Sequence, residues 1–366
     1  MIGSFVRRNV ALAAILTCLA AMATQAPGQD EAQILIKKDQ PDFTITAQQR
    51  AEVIDGALKK LAEAYVFPDK AAQMERAIRA RLEKKEYDDI TSARTLTQML
   101  TGHLQEVSHD KHLRVIYSHD PLPKPRPPSA EERQRMRSMM GKTNYGFEKV
   151  ERLDGNVGYL DLRGFMDADG GGETAAAAMN FLANTDALII DLRQNGGGSP
   201  AMVALLCSYF FDQRKHLNDL AWRESGSERI EQWWTLPHLA GKRYLDRDVY
   251  ILTSKRTFSA AEEFTYNLQA LKRATVVGET TGGGAHPGGP ATINDHFAIW
   301  IPRGRAINPT TKTNWEGTGV KPDMAASSDQ ALKTAHLAAL NKQLGRETDP
   351  RLKEQLKRHI EKLEKN

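Results

Sequence analysis

Residues 187–198 read Ala187-Leu188-Ile189-Ile190-Asp191-Leu192-Arg193-Gln194-Asn195-Gly196-Gly197-Gly198. The apolar run Ala187–Ile190 has no polar alternation, so it suits a strand buried on both faces. Such a strand needs helices on each side, and the flanking sequence supplies them. Val157–Leu162, Val249–Ser254, Ala274–Glu279 and Phe297–Pro302 also read as strands. Helical stretches over Glu173–Asn184, Met202–Phe211 and Ala260–Lys272 lie between them. This alternation predicts an α/β unit, residues 144–328, built on a mainly parallel, helix-covered sheet. After Pro322-Asp323 the chain reads as helical, an extension over residues 329–366.

Upstream the rhythm changes. Thr46-Ala47-Gln48-Gln49 fits a capping box, and apolar residues then recur at Val53, Ala57, Leu61 and Tyr65. Pro68 ends that helix. Ala71–Lys84 and Ala93–Val107 read as two more, so residues 31–118 are expected to form a small helical module. The proline-rich Pro121–Pro128 and the charged Ala130–Met140 read as a linker with a short helix, residues 119–143. The sequence has no internal repeat and no low-complexity tract.

Arg7 and Arg8 precede the apolar Val10–Ala23, and small residues continue to Ala26. This is the layout of a secretory signal peptide, residues 1–26, and the apolar run is short for a membrane span. The expectation is an exported protein, periplasmic or secreted, with no stable membrane span in the mature chain. The formal charge of +4 comes with no Lys/Arg cluster interleaved with aromatics, so nucleic acid is not an expected partner. Of the two cysteines, Cys18 lies in the leader, which leaves Cys207 without an internal disulfide partner. Within the apolar Met202–Phe211, Cys207 reads as a small buried hydrophobe.

Two readings stand side by side at Arg256-Thr257-Phe258-Ser259-Ala260-Ala261-Glu262. Ser259 and Glu262 have capping-box spacing, so Ser259 can be an ordinary helix cap. A serine at a strand-to-helix turn is also exposed beside the first N–H groups of the helix, which suits a nucleophile with an oxyanion site. The glycines Gly196–Gly198 are likewise open to a sharp turn or to an N–H aimed at a ligand. No Gly-Lys-Ser/Thr follows them, which argues against a phosphate loop. His109 and His112 lie between a helix and a strand, and Glu316 lies late in the chain near glycines. His109-x-x-His112 has no third ligand of known spacing, so no metal is expected.

These segments, in this order, resemble the tail-specific protease family of the Clp-protease/crotonase-like superfamily. The similar stretches are Tyr145–Phe165, Ala187–Arg193 with its glycines, Thr257–Phe264, Val277–Gly283 and Gly319–Asp323, within most of Glu31–Ser328. The most similar branch resembles interphotoreceptor retinoid-binding protein and the catalytic core of tricorn protease. The resemblance implies a crotonase-like helix-covered sheet domain preceded by a small helical N-terminal module. Family members that pair serine with lysine carry the lysine where this chain has Gly284, and they usually insert a PDZ domain for which this chain has no room. The tricorn-like style uses a histidine and a late glutamate, which correspond to His112 and Glu316. Lys111 stands where tricorn has a serine before that histidine.

The resemblance thus implies an exported serine peptidase acting on a peptide or protein substrate, without cofactor. Ser259 would attack, His112 would take its proton, and Glu316 would orient His112. The N–H groups of Ala260 and of Gly197 or Gly198 would form the oxyanion hole. The alternative on the same fold is a non-catalytic protein that binds a hydrophobic ligand, with Ser259 only a cap.

Overall fold

The computed structural model describes residues 40–124, 126–224 and 227–365, so the expected leader lies outside the described residues. Three helices come first: α1 (Ala47–Ala64), α2 (Pro68–Glu83) and α3 (Ala93–Ser108). Thr46 and Gln49 cap α1 reciprocally, and Pro68 opens α2, where a missing N–H leaves no bond unmade. Strand β1 (Arg114–Tyr117) follows, then the proline-rich stretch and α4 (Ala130–Lys142).

The sheet unit begins with β2 (Phe147–Leu153), β3 (Val157–Leu162), α5 (Ala168–Leu182), β4 (Ala187–Asp191) and α6 (Pro200–Cys207). It continues through the hairpin β5 (His216–Glu224) and β6 (Ser227–Trp234), then β7 (Asp248–Thr253), α7 (Ala260–Ala270) and β8 (Thr275–Gly278). The last elements are β9 (Gly288–Thr292), β10 (Phe297–Pro302), β11 (Gly304–Ile307), β12 (Met324–Ala325), α8 (Ala331–Arg346) and α9 (Pro350–Lys365).

The central sheet has the order β12-β8-β7-β4-β3-β2, and all its pairs are parallel except β2 with β3. All five residues of β4 are buried. Leu188 and Ile190 join the core under α5, α6 and α7, whereas Ala187 and Ile189 join the core under α8 and α9. Successive side chains of a strand point to opposite faces, so an unbroken apolar run serves two cores at once. Cys207 is a free, buried thiol in the first of these cores.

Phe297–Pro302 departs from the expected arrangement. As β10 it lies outside the central sheet, in a separate antiparallel sheet of order β1-β10-β9. Phe297, Ile299 and Ile301 project with Val115 and Tyr117 into the core beneath α1, α2 and α3. The three N-terminal helices therefore rest on a strand supplied from far along the chain. A third antiparallel sheet, β11-β5-β6, flanks α7. Among the described residues no helix is long and apolar enough to cross a membrane.

Because Ile299 is fully buried in the shared core, Ile299→Ala is expected to lower stability by about 2–5 kcal/mol. Urea denaturation measures it; a loss below about 1 kcal/mol, the scale of tolerated core swaps, contradicts this role for β10.

Candidate active site

Ser259 joins the end of β7 to α7 with φ 57° and ψ −123°. These are the dihedrals of the first central residue of a type II′ turn, and the Ala261 N–H closes that turn on the Phe258 carbonyl at 3.1 Å. Elsewhere in the chain the caps Thr46, Ser92 and Ser129 all have extended backbone with negative φ. A cap needs no positive φ, and a non-glycine residue held there costs about 1–3 kcal/mol. A strained serine on a strand–turn–helix is the arrangement that exposes a nucleophile at the mouth of an α/β sheet.

Glu262 holds this turn. Its Oε2 accepts the Ser259 N–H and the Gly284 N–H, each at 2.8 Å. Its Oε1 accepts the Thr281 hydroxyl at 2.5 Å and the Gly283 N–H at 2.6 Å. Burial raises the Glu262 pKa, and the four hydrogen bonds oppose that rise. The sequence signals only a capping box here; the bonds to Thr281, Gly283 and Gly284 come from tertiary structure.

The glycine turn after β4 packs against Ser259. Gly197 has φ 109°, and a Cβ there would lie 2.8 Å from Ser259 Cβ. Asn195 braces the turn: its Oδ1 accepts the Gly197 N–H and its Nδ2 donates to the Leu162 carbonyl, both at 2.9 Å. Of the two glycines expected as oxyanion donors, Gly197 thus has its amide engaged by Asn195. The amides of Gly198 and Ala260 have no hydrogen-bond partner among the described residues.

His112 reaches the same place from the N-terminal side. Its ring packs on Phe258, the neighbour of Ser259, at a centroid distance of 4.5 Å. Its backbone N–H donates to Asp110 Oδ1 at 3.0 Å. Asp110 is buried, and its Oδ2 pairs with His286 Nδ1 at 2.9 Å and accepts the Tyr65 hydroxyl at 3.2 Å. Glu316 Oε2 accepts the Ala285 N–H at 2.5 Å and lies 3.5 Å from His286 Nδ1. His109, by contrast, is the left-handed C-cap of α3.

An imidazole nitrogen of His112 and one carboxylate oxygen each from Asp110 and Glu316 lie within 4.8 Å of one another. His112 Nδ1 and Glu316 Oε1 are both buried and have no hydrogen-bond partner among the described residues, and they are the atoms a His–Glu hydrogen bond uses. Burial pushes His112 down to about 4 and Glu316 up to about 7. The three side chains are a donor set that could share a cation, and His286 Nδ1 lies against both carboxylates, 2.9 Å from Asp110 and 3.5 Å from Glu316.

A Cβ on Gly284 would run into the Phe258 ring and lie 2.7 Å from His112 Cε1. A lysine at that position has no space while His112 is in place. Lys111 is turned away, with Nζ on the Gly282 carbonyl at 2.5 Å. Asp110, Asn195 and Tyr65 carry no signal in the sequence beyond residue type, because the bonds from Asp110 to Tyr65 and His286 and from Asn195 to Leu162 join segments remote in the chain.

A profile of peptidase family S41 matches residues 156–326, and one of the N-terminal domain of peptidase S41 in eukaryotic IRBP matches residues 44–152. The chain belongs to the S41, or tail-specific, peptidase family. Members of this family are serine peptidases, and peptides are their substrates. Solved structures similar in fold include a candidate peptidase from Parabacteroides merdae, 19% identical with a TM-score of 0.58, over 80% of this chain and 96% of that one. A lipoprotein from Streptococcus agalactiae is 14% identical with a TM-score of 0.52, over 84% of this chain and 99% of that one. At these identities the likeness concerns fold alone.

The strain at Ser259 makes a stability prediction for this S41 chain. Ser259→Gly relieves the positive φ and is expected to be at least as stable as wild type, whereas an ordinary cap loses a few tenths of a kcal/mol on this change. Gly284→Ala, which overpacks the Phe258–His112 contact, is expected to lose about 1–3 kcal/mol. Urea midpoints of the two variants check both; the reverse order contradicts the geometry.

Proposed function

We propose that this S41 chain is an exported serine-type peptidase that hydrolyses peptide bonds through Ser259, His112 and Glu316. The observation that carries the reading is the Ser259 turn: a strained serine backbone beside the unbonded amides of Ala260 and Gly198, with His112 packed on Phe258.

Ser259 Oγ attacks the substrate carbonyl while His112 takes its proton. Burial keeps His112 neutral well below pH 7, so the base is available at neutral pH. The tetrahedral oxyanion is met by the Ala260 and Gly198 N–H groups; one such donor contributes about 2.7–4 kcal/mol in related chemistry. As His112 becomes a cation, an ionised Glu316 stabilises it. His112 then protonates the leaving amine, and water repeats the sequence on the acyl-enzyme. Export rests on the leader-like residues 1–26.

Glu316 sets the pH dependence. Burial holds its proton up to about pH 7, so its negative charge is absent below that pH and present above it. Beside the burial, the neighbouring Asp110 and Glu262 carboxylates add to this rise, and His286 and the Ala285 N–H oppose it. Turnover is expected to rise with pH through about 7, and Glu316→Gln to flatten that limb and cut kcat, by up to about 10⁴-fold on the scale of triad acids. A pH–rate series on a fluorogenic peptide measures it; an unchanged limb in Glu316→Gln removes Glu316 from the mechanism. A fluorophosphonate probe should label wild type at pH 8 and leave Ser259→Ala unlabelled. Unlabelled wild type favours the hydrophobic-ligand binder.

A further inference from the structure

Leu113, Val115 and Tyr117 enter the core beneath α1–α3, so the alternation of the chain leaves His112 and Arg114 on the opposite face. Trp300 is the partner of Arg114 across β1 and β10, and it shares that face because Ile299 and Ile301 occupy the core. The Arg114 guanidinium lies over the Trp300 ring, 5.4 Å from its centroid. Two residues from the proposed base, a cation is thus held on an aromatic platform.

Arg114 has no carboxylate and no hydrogen-bond acceptor among the described residues, whereas Arg81, Arg163, Arg193 and Arg305 each pair with an acid. Its side chain is exposed to solvent, yet the protein crowding it lowers its pKa. A crowded cation without a counter-charge is unfavourable, and a guanidinium fork is shaped to take a carboxylate in two parallel hydrogen bonds.

We propose that Arg114, seated on Trp300 beside His112, is an anion subsite that takes a carboxylate of the peptide substrate. The carboxylate comes from the end of the peptide chain or from an acidic side chain beside the scissile bond. This rests on the peptidase reading, since it presumes a peptide bound next to His112. The subsite gives the enzyme a charge preference: acidic or free-ended peptides are held, and amidated neutral ones are not.

The test reads binding, so that it stands apart from turnover. Ser259→Ala protein is titrated against three fluorescein-labelled pentapeptide pools. The first has a free terminal carboxylate, the second a terminal amide, and the third a terminal amide with one fixed glutamate; pools one and two contain no acidic side chains. At least one carboxylate pool is expected to bind about tenfold tighter than the neutral amide pool, as a charged hydrogen-bonded pair warrants. Which of the two does so identifies the source of the carboxylate. Adding Arg114→Gln should bring that pool down to the amide pool, and Arg114→Lys, which keeps the charge, should retain part of the preference. Equal binding of the three pools, no binding of any, or a preference that survives Arg114→Gln overturns the proposal. Fluorophosphonate labelling of wild type judges the peptidase reading separately: a protein that labels at Ser259 but shows no carboxylate preference loses only the subsite.

Discussion

The active-site region depends on one buried carboxylate. Glu262 accepts hydrogen bonds from Ser259, Thr281, Gly283 and Gly284, and so ties the start of α7 to the segment that follows β8. A buried carboxylate without donors is strongly unfavourable, so this arrangement is held as a set or not at all. The segment it captures organises the rest. Trp315 Nε1 donates to the Gly284 carbonyl at 2.8 Å, Ala285 binds Glu316, and His286 binds Asp110. The strained serine, the histidine and the late glutamate are thus referred to a common stretch of backbone, Thr281–His286.

The chemistry of the site follows from what burial does to groups with and without partners. His112 and Glu316 are pushed in opposite directions, to about 4 and about 7, because burial disfavours the charged form of each. The result is a neutral imidazole near a carboxyl group that ionises near neutrality, a pairing that suits proton transfer at physiological pH. Small residues make the approach possible: Gly197 admits Ser259, and Gly284 admits both Phe258 and His112. Phe258 and His112 fill the space that a side chain at residue 284 would need, so a lysine there and His112 in its present place exclude one another sterically in this chain.

Much of this was legible in the residues, and the limits have physical causes. The two-sided burial of β4 follows from an apolar run without alternation, and it bears out directly in the two cores it serves. Phe297–Pro302 was legible as a strand but not as a member of a separate sheet, because its partner β1 lies about half the chain away. At Ser259 the capping-box pattern describes a bond that exists, Ser259 N–H to Glu262, and is silent about the positive φ. The glycines were legible as a sharp turn or as an N–H aimed at a ligand, and their contact with Ser259 was not; Asn195, which takes the Gly197 amide, was hidden by the ordinary look of an asparagine in a loop. Asp110 and His286 could not be paired by reading, since 176 residues separate them.

The central claim is that the turn at Ser259 presents its hydroxyl to a substrate carbonyl while two unbonded amides await the oxyanion. A crystal structure of the fluorophosphonate adduct tests this directly, because the phosphoryl oxygen reports where negative charge is received. The account predicts a covalent bond to Ser259 Oγ, with that oxygen within hydrogen-bond distance of the Ala260 and Gly198 nitrogens and the Gly197 amide still on Asn195. An adduct whose oxygen turns to solvent, or is met by neither amide, contradicts it.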